Sequence, residues 1–332
     1  MKNYFNLFAS CIPVKGASAS VIMDLQRESW ISIPNVLFEV LEKTRLPINE
    51  LKKIYKGKYD EGIDHYFNFL SDHELGFFTD RPELFPKLNS EFRSPYPVLS
   101  SVINLNPNST YDLKDVLSQL ISLGTQTLQI RIHKGYDFDY LFDCLLLFQE
   151  SRTRIVELFP SYSEELKKVL EKRSFDDLRI FVYVFSKNKK LGLKLSKEKK
   201  LRVSRVNKSL EAYPSEIISQ DVFAVNTKFY LEAINFNVGL YRKVVIDYNG
   251  EIKNYTDHQI SFVNVKQDAI ADVIEKEEFK RKGNITNDKI EKCKDCQFRY
   301  MCLSNSDLNI SDHITYKTKS CSYDPYKDYW HN

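Results

Sequence analysis

Val98-Leu-Ser-Ser-Val-Ile-Asn-Leu105 is followed by Asp112-Leu-Lys-Asp-Val-Leu-Ser-Gln-Leu120, then by Leu128-Gln-Ile-Arg-Ile132 and Phe138-Asp-Tyr-Leu-Phe-Asp-Cys-Leu-Leu-Leu-Phe148. Strand-length apolar runs alternate with segments whose apolar residues, such as Leu113, Val116, Leu117 and Leu120, recur at i, i+3, i+4, i+7. Asp112 is placed to cap its helix and Gly124 to end it. The alternation continues through Arg154–Phe159, a helix over Ser163–Lys172 and Leu178–Phe185. Short loops between strand and helix predict parallel βα units. About four strands are visible, so the expected fold class is α/β with a partial (β/α) barrel rather than eight repeats. Cys144, inside the apolar helix, reads as a small core residue.

Upstream, Pro82, Pro86, Pro95 and Pro97 mark a linker over 80–97. Before it, Tyr4–Ile12, Ala19–Leu25 and Ser29–Ile33 read as strands, with a turn around Lys15-Gly16-Ala-Ser18. Asn35 is positioned to cap a helix, Ile48–Tyr55 makes a second, and a third begins near Asp60 with Ile63, Tyr66, Phe67 and Leu70 on one face. Three strands then three helices is a winged-helix layout. Asp60, Glu61, Asp64, Asp72 and Glu74 make its third helix acidic, a poor partner for phosphate, so no nucleic-acid binding is expected. The alternative is a precursor-peptide recognition unit that adds a leader peptide to its sheet edge, with Trp30, Ile31 and Tyr66 as candidate peptide-binding residues. The expected division is 1–92, 93–233 and 234–332.

Composition constrains the class. At 332 residues, 42% hydrophobic and 28% charged, the chain has the make-up of a soluble globular protein with several cores. A net charge of +3 is too small to argue for nucleic acid. No apolar run approaches a membrane span, and the first residues lack the apolar region of a signal peptide. A cytoplasmic protein with reduced thiols and no membrane association is expected. Lys187–Lys208 is strongly basic, through Lys189, Lys190, Lys194, Lys197, Lys199, Lys200, Arg202 and Arg205 against Glu198. This reads as a solvated loop, or as a docking site for an acidic partner.

Four of the six cysteines fall in the last forty residues, as Cys293-x2-Cys296-x5-Cys302-x18-Cys321. The x2 step lets two sulfurs grip one ion from a tight turn, and the longer steps return a third and fourth. The spacing suits tetrahedral zinc and a [4Fe–4S] cluster alike. A closed set of four thiolates leaves no open position for substrate, which points to a structural or electron-transfer role. No G-x-S-x-G, H-E-x-x-H or phosphate-cradling glycine loop occurs, and His65, His73, His133, His258, His313 and His331 show no paired spacing.

The segment Cys293-Lys-Asp-Cys296-Gln-Phe-Arg-Tyr-Met-Cys302 with Cys321 resembles the SPASM module, the auxiliary-cluster domain of radical SAM peptide maturases. The Gly239–Tyr255 hairpin, with its Asn249-Gly250 turn, resembles the hairpin preceding that module. Tyr255 and Ser306 stand where ligands of the family's first auxiliary cluster would be, so one cluster rather than two is implied. The loop after the first barrel strand, Asn104–Asp112, has none of the family's three cysteines, which implies no S-adenosylmethionine cleavage. With Cys11-Ile-Pro-Val-Lys-Gly16, Asp24-Leu-Gln-Arg27 and Ile33-Pro-Asn35, the whole chain resembles the SPASM-domain peptide maturases of grasp-with-spasm systems.

That resemblance implies an accessory protein of ribosomal peptide (graspetide) biosynthesis. It would bind a precursor peptide and present it to an ATP-grasp ligase, with one [4Fe–4S] cluster or, alternatively, Zn2+ on Cys293, Cys296, Cys302 and Cys321. A non-catalytic scaffold is the favoured expectation. A redox enzyme that uses the cluster to modify the peptide is the alternative.

Overall fold

The structure, a computed structural model, describes residues 3–172, 179–187, 191–192, 202–211, 213 and 219–331. Lys189, Lys190, Lys194, Lys197, Glu198, Lys199 and Lys200 of the basic run lie outside the described residues, as does Leu178.

The N-terminal unit contains β1 (Tyr4–Leu7), β2 (Cys11–Lys15), β3 (Ser20–Asp24), β4 (Ser29–Ile33), α1 (Asn35–Leu41), α2 (Ile48–Ile54), α3 (Asp60–Asp72) and β5 (Gly76–Thr79). β2, β3 and β4 form an antiparallel meander. The single strand expected over Tyr4–Ile12 is two. β1 leaves the meander to pair with β5, because Phe5 stacks on Phe67 of α3 with ring centroids 4.5 Å apart. Asn35 does not cap α1. Pro34, with extended ψ, occupies the cap position, and the Asn35 amide donates to the carbonyls of Gly16 and Ala17 while accepting from the Ser20 hydroxyl.

The strands of the meander carry apolar residues on both faces. Cys11, Ile22, Ile31 and Ile33 pack with Leu37, Phe67 and Leu70 beneath the helices. Ile12, Val14, Val21, Met23 and Trp30 point the other way, onto Phe298, Met301 and Tyr323 from the C-terminal segment.

Residues 80–97 contain only a short 3-10 turn at Pro82–Leu84. Beyond them come β6 (Ser100–Leu105), α4 (Leu113–Ser122), β7 (Thr127–Ile132), α5 (Phe138–Cys144), β8 (Ile155–Pro160), α6 (Glu164–Lys172), β9 (Ile180–Phe185), β10 (Arg202–Val206), α7 (Thr227–Asn235), β11 (Lys243–Ile246), β12 (Ile252–Lys253), α8 (Ile270–Glu275) and α9 (Glu277–Lys280). The Asp112 carboxylate accepts from the Lys114 N–H at 2.9 Å to cap α4, and Gly124 ends that helix at φ +76°.

The seven strands form one mostly parallel sheet, ordered β10-β9-β8-β7-β6-β11-β12, in which only β12 runs antiparallel. This is a mixed α/β architecture with a larger sheet than the four strands expected. β11 pairs with β6, and Val244 and Ile246 join the core that holds Ile103, Ile130 and Leu158 under the helices. The boundary expected at 233/234 therefore runs through a single sheet.

On the opposite face, alternation places Asn104, Gln129, Arg131, Glu157 and Lys243. The C-terminal segment, with β13 (Leu308–Ile310), β14 (Thr315–Lys317), β15 (Tyr323–Asp324) and β16 (Tyr329–Trp330), covers part of this face, packing Ile290 and Leu308 with Val102, Val245 and Tyr255. Among the described residues no helix is long and apolar enough to cross a membrane.

Candidate functional site

The four predicted ligand cysteines lie in the C-terminal segment, wedged between the two sheets. The Cys296 N–H donates to the Cys293 carbonyl at 3.0 Å, closing the expected tight turn, and Lys292 enters it in the left-handed region at φ +65°. The Phe298 N–H donates to Cys296 Sγ at 3.4 Å. All four thiols are half-buried and none is in a disulfide. Cys296 and Cys321 border the seam with the N-terminal meander, and Cys293 borders the seam with the central sheet.

Burial pushes the Cys296 thiol well above the usual thiol range, and the neighbouring charges of Cys302, Cys293 and Cys321 push it the same way. Burial also raises Cys293, against the pull of Lys317. The four sulfurs therefore share one electrostatic neighbourhood. Among the described residues, no three Cys, His, Asp or Glu side chains close around a common point. In kind the donors suit a thiolate-bound metal, being half-buried thiols outside any disulfide, one of them accepting an N–H···S bond, although they are not gathered on one point. His313 is exposed.

The segment is stitched to the turn between β2 and β3. The Ala17 N–H donates to the Asp295 carbonyl at 2.8 Å, and Arg299 Nη1 donates to the Lys15 carbonyl at 2.6 Å. Gly16 is required there by proximity. A Cβ on it would lie 2.4 Å from the Ala19 carbonyl oxygen and 2.6 Å from Gln297 Oε1.

The three candidate peptide-binding residues separate. Ile31 and Tyr66 both pack at the rim of the N-terminal core. Trp30 points to the other face and meets Phe298 edge-on, with ring centroids 5.0 Å apart. Among the described residues β4 pairs only with β3, and its outer edge carries no ladder.

Tyr255 and Ser306 are both buried. Tyr255 fills the second seam, and the Ser306 hydroxyl accepts from the Lys319 N–H at 3.1 Å.

A feature not foreseen from the sequence is a cleft of about 750 Å3 at the carboxyl ends of the central strands. Asn104 of β6, Arg131 of β7 and Asp247 just after β11 line it, with Tyr213, Lys253, Thr256, Asp257, Lys319 and the two serines flanking Cys321. Carboxyl ends of parallel strands are where α/β folds place ligands. The signal was present in Leu128-Gln-Ile-Arg-Ile132. Parallel strands covered on both faces read as continuous apolar runs, and here polar residues alternate instead. No protein-family model matches this chain, and no curated protein matches it either.

Proposed function

We propose that the chain is an accessory protein of ribosomal peptide maturation, which binds a precursor peptide and presents it to a partner ATP-grasp ligase. The observation that carries this reading is the open edge of β4. No backbone group of Ser29–Ile33 bonds outside the pairing with β3 among the described residues, and Ile31 of that strand and Tyr66 of α3 both pack on the N-terminal core. An extended leader peptide adding a fourth strand would satisfy this edge and set alternate side chains against those two residues. In this reading the N-terminal unit is a winged-helix-like recognition domain, the central sheet a partial barrel of the radical SAM type, and the C-terminal segment a SPASM-like module.

Cys293, Cys296, Cys302 and Cys321 would hold one [4Fe–4S] cluster or a zinc ion, which as a closed thiolate set supplies a structural anchor. The loop joining β6 to α4 contains no cysteine, so the proposed function includes no S-adenosylmethionine cleavage. The test is hydrogen exchange on the full chain with and without candidate leader peptides. Slowed exchange is expected at residues 29–33. Peptide binding that leaves these amides unchanged would move the site elsewhere.

A further inference from the structure

We propose that the cleft at the carboxyl ends of the central strands is a binding site for a monoanionic carboxylate, with Arg131 as its anchor. This site is separate from the β4 edge and stands whether or not a leader peptide binds there. Arg131 is only 7% exposed, and among the described residues no carboxylate pairs with it. Its Nε donates to Gln129 Oε1 at 2.8 Å, its guanidinium donates to the Tyr255 hydroxyl, and it lies 5.7 Å from the centroid of the Tyr213 ring. These contacts orient the fork without neutralising it. A desolvated charge held in place without a counter-ion implies that the counter-ion arrives from outside.

The charges around it select the ligand. Lys253 pairs with Asp247 at 3.2 Å and Lys319 with Asp257 at 2.5 Å, so both lysines already have anionic partners. Glu211 lies 3.5 Å from His133 on the rim. Among the described residues of the cleft, Arg131 is the cation with no carboxylate paired to it. Arg131, Lys253 and Lys319 together only balance Asp247, Asp257 and Glu211, so a ligand of one negative charge is accommodated better than one of two. A phosphate monoester carries nearly two and would meet Asp247 and Asp257 at close quarters. A carboxylate matches both the charge and the planar fork. A second polar group is consistent with a ligand: Thr256 lines the cleft, and its Oγ1 is buried with no hydrogen-bond partner, so an oxygen that reached it would supply a bond now missing. Such a carboxylate can come from an acidic side chain of a peptide or from a free small acid.

The experiment is calorimetric titration of the full chain with N-acetylated, C-amidated Gly-Glu-Gly, the matching Gly-Gln-Gly, butyrate and inorganic phosphate. The Glu peptide or butyrate should bind at least about tenfold more tightly than the Gln peptide, the value of one hydrogen-bonded charge. The Glu peptide binding better than butyrate identifies a peptide side chain as the source, and the reverse identifies a free acid. Arg131→Lys keeps the charge, loses the fork, and should cost about tenfold. Thr256→Val, nearly isosteric, should cost about threefold and serves if the arginine variant does not fold. Neither the Glu peptide nor butyrate binding more tightly than the Gln peptide, or phosphate binding as tightly as the better carboxylate, would each overturn the proposal.

Discussion

The N-terminal meander and the central sheet meet the same cysteine-bearing segment with unlike surfaces. The meander offers Ile12, Val14, Val21, Met23 and Trp30, and the segment answers with Phe298, Met301 and Tyr323. The central sheet offers an apolar patch around Val102 and Val245, and beside it a polar row of Gln129, Arg131, Glu157 and Lys243. The first contact is an ordinary core, held by burial. The second roofs a face on which buried polar groups persist although apolar residues would pack better. The difference separates what holds the molecule together from what it keeps for a ligand.

The harshest way to break the comparison is to remove the metal proposed for Cys293, Cys296, Cys302 and Cys321. The segment touches both sheets, so its loss should loosen both seams rather than only the tail. Cys296→Ser should abolish bound metal, forfeiting a binding free energy on the order of 10 kcal/mol for a structural zinc site. Both tryptophans of the chain, Trp30 and Trp330, lie at the meander seam, so their emission should shift to the red in the variant or after chelation. Metal analysis with visible spectra of the parent protein distinguishes zinc from iron–sulfur. Departure of the metal with emission and melting temperature unchanged would mean that the apolar packing suffices alone.

A milder perturbation acts on the polar side. Glu232 of α7 is buried, and burial raises its carboxyl to about 7 from 4.5, against the pull of Lys243, Lys228 and Arg242. Burial lowers Lys243 to about 8 from 10.5, and the Glu232 charge opposes this. A raised carboxyl contributes stability that is complete below pH 4.5 and lost as pH climbs through 7. A depressed amine contributes stability that is complete above pH 10.5 and lost as pH falls through 8. The pair therefore contributes least between about pH 7 and 8. Glu232→Gln removes the acid limb. Between pH 4.5 and 7.5 its stability should rise relative to the parent by roughly 3 kcal/mol at most. Urea midpoints across that range check this, and a difference that stays flat with pH would show that Glu232 is hydrated.

Much of the fold was legible locally. Asp112, Gly124 and the spacing of Leu113, Val116, Leu117 and Leu120 define α4, and Asn249-Gly250 marks the β11–β12 turn, where Gly250 adopts φ +89°. What was not legible is pairing across long chain separations. Nothing local in Tyr4–Leu7 announces Gly76–Thr79 as its partner, and nothing in Lys243–Ile246 announces Ser100–Ile103. The cysteine spacing drew attention to the C-terminal segment, whereas its wedging between two sheets depends on Gly16 and Gln297 meeting across most of the chain. The cleft was readable only in part. Gln129 and Arg131 break an apolar strand, but Asp247, Thr256 and Lys319 come from segments that only the folded sheet brings together.

The smallest expected effect is the most pointed test of the difference between the seams. Truncating a buried apolar side chain at the meander seam, such as Met23, would cost about 2–5 kcal/mol, since burying such side chains is what holds that seam closed. Arg131 is buried too, yet among the described residues no carboxylate pairs with its charge, and Gln129 and Tyr255 return only part of the desolvation cost. Arg131→Met fills similar volume with no charge, so stability should stay within about 1 kcal/mol of the parent or rise, as at sites retained for binding. Chemical denaturation of the full chain measures it. A loss of about 3 kcal/mol or more, the size seen when one member of a buried pair is removed, would make Arg131 a structural post and erase the distinction between the two seams.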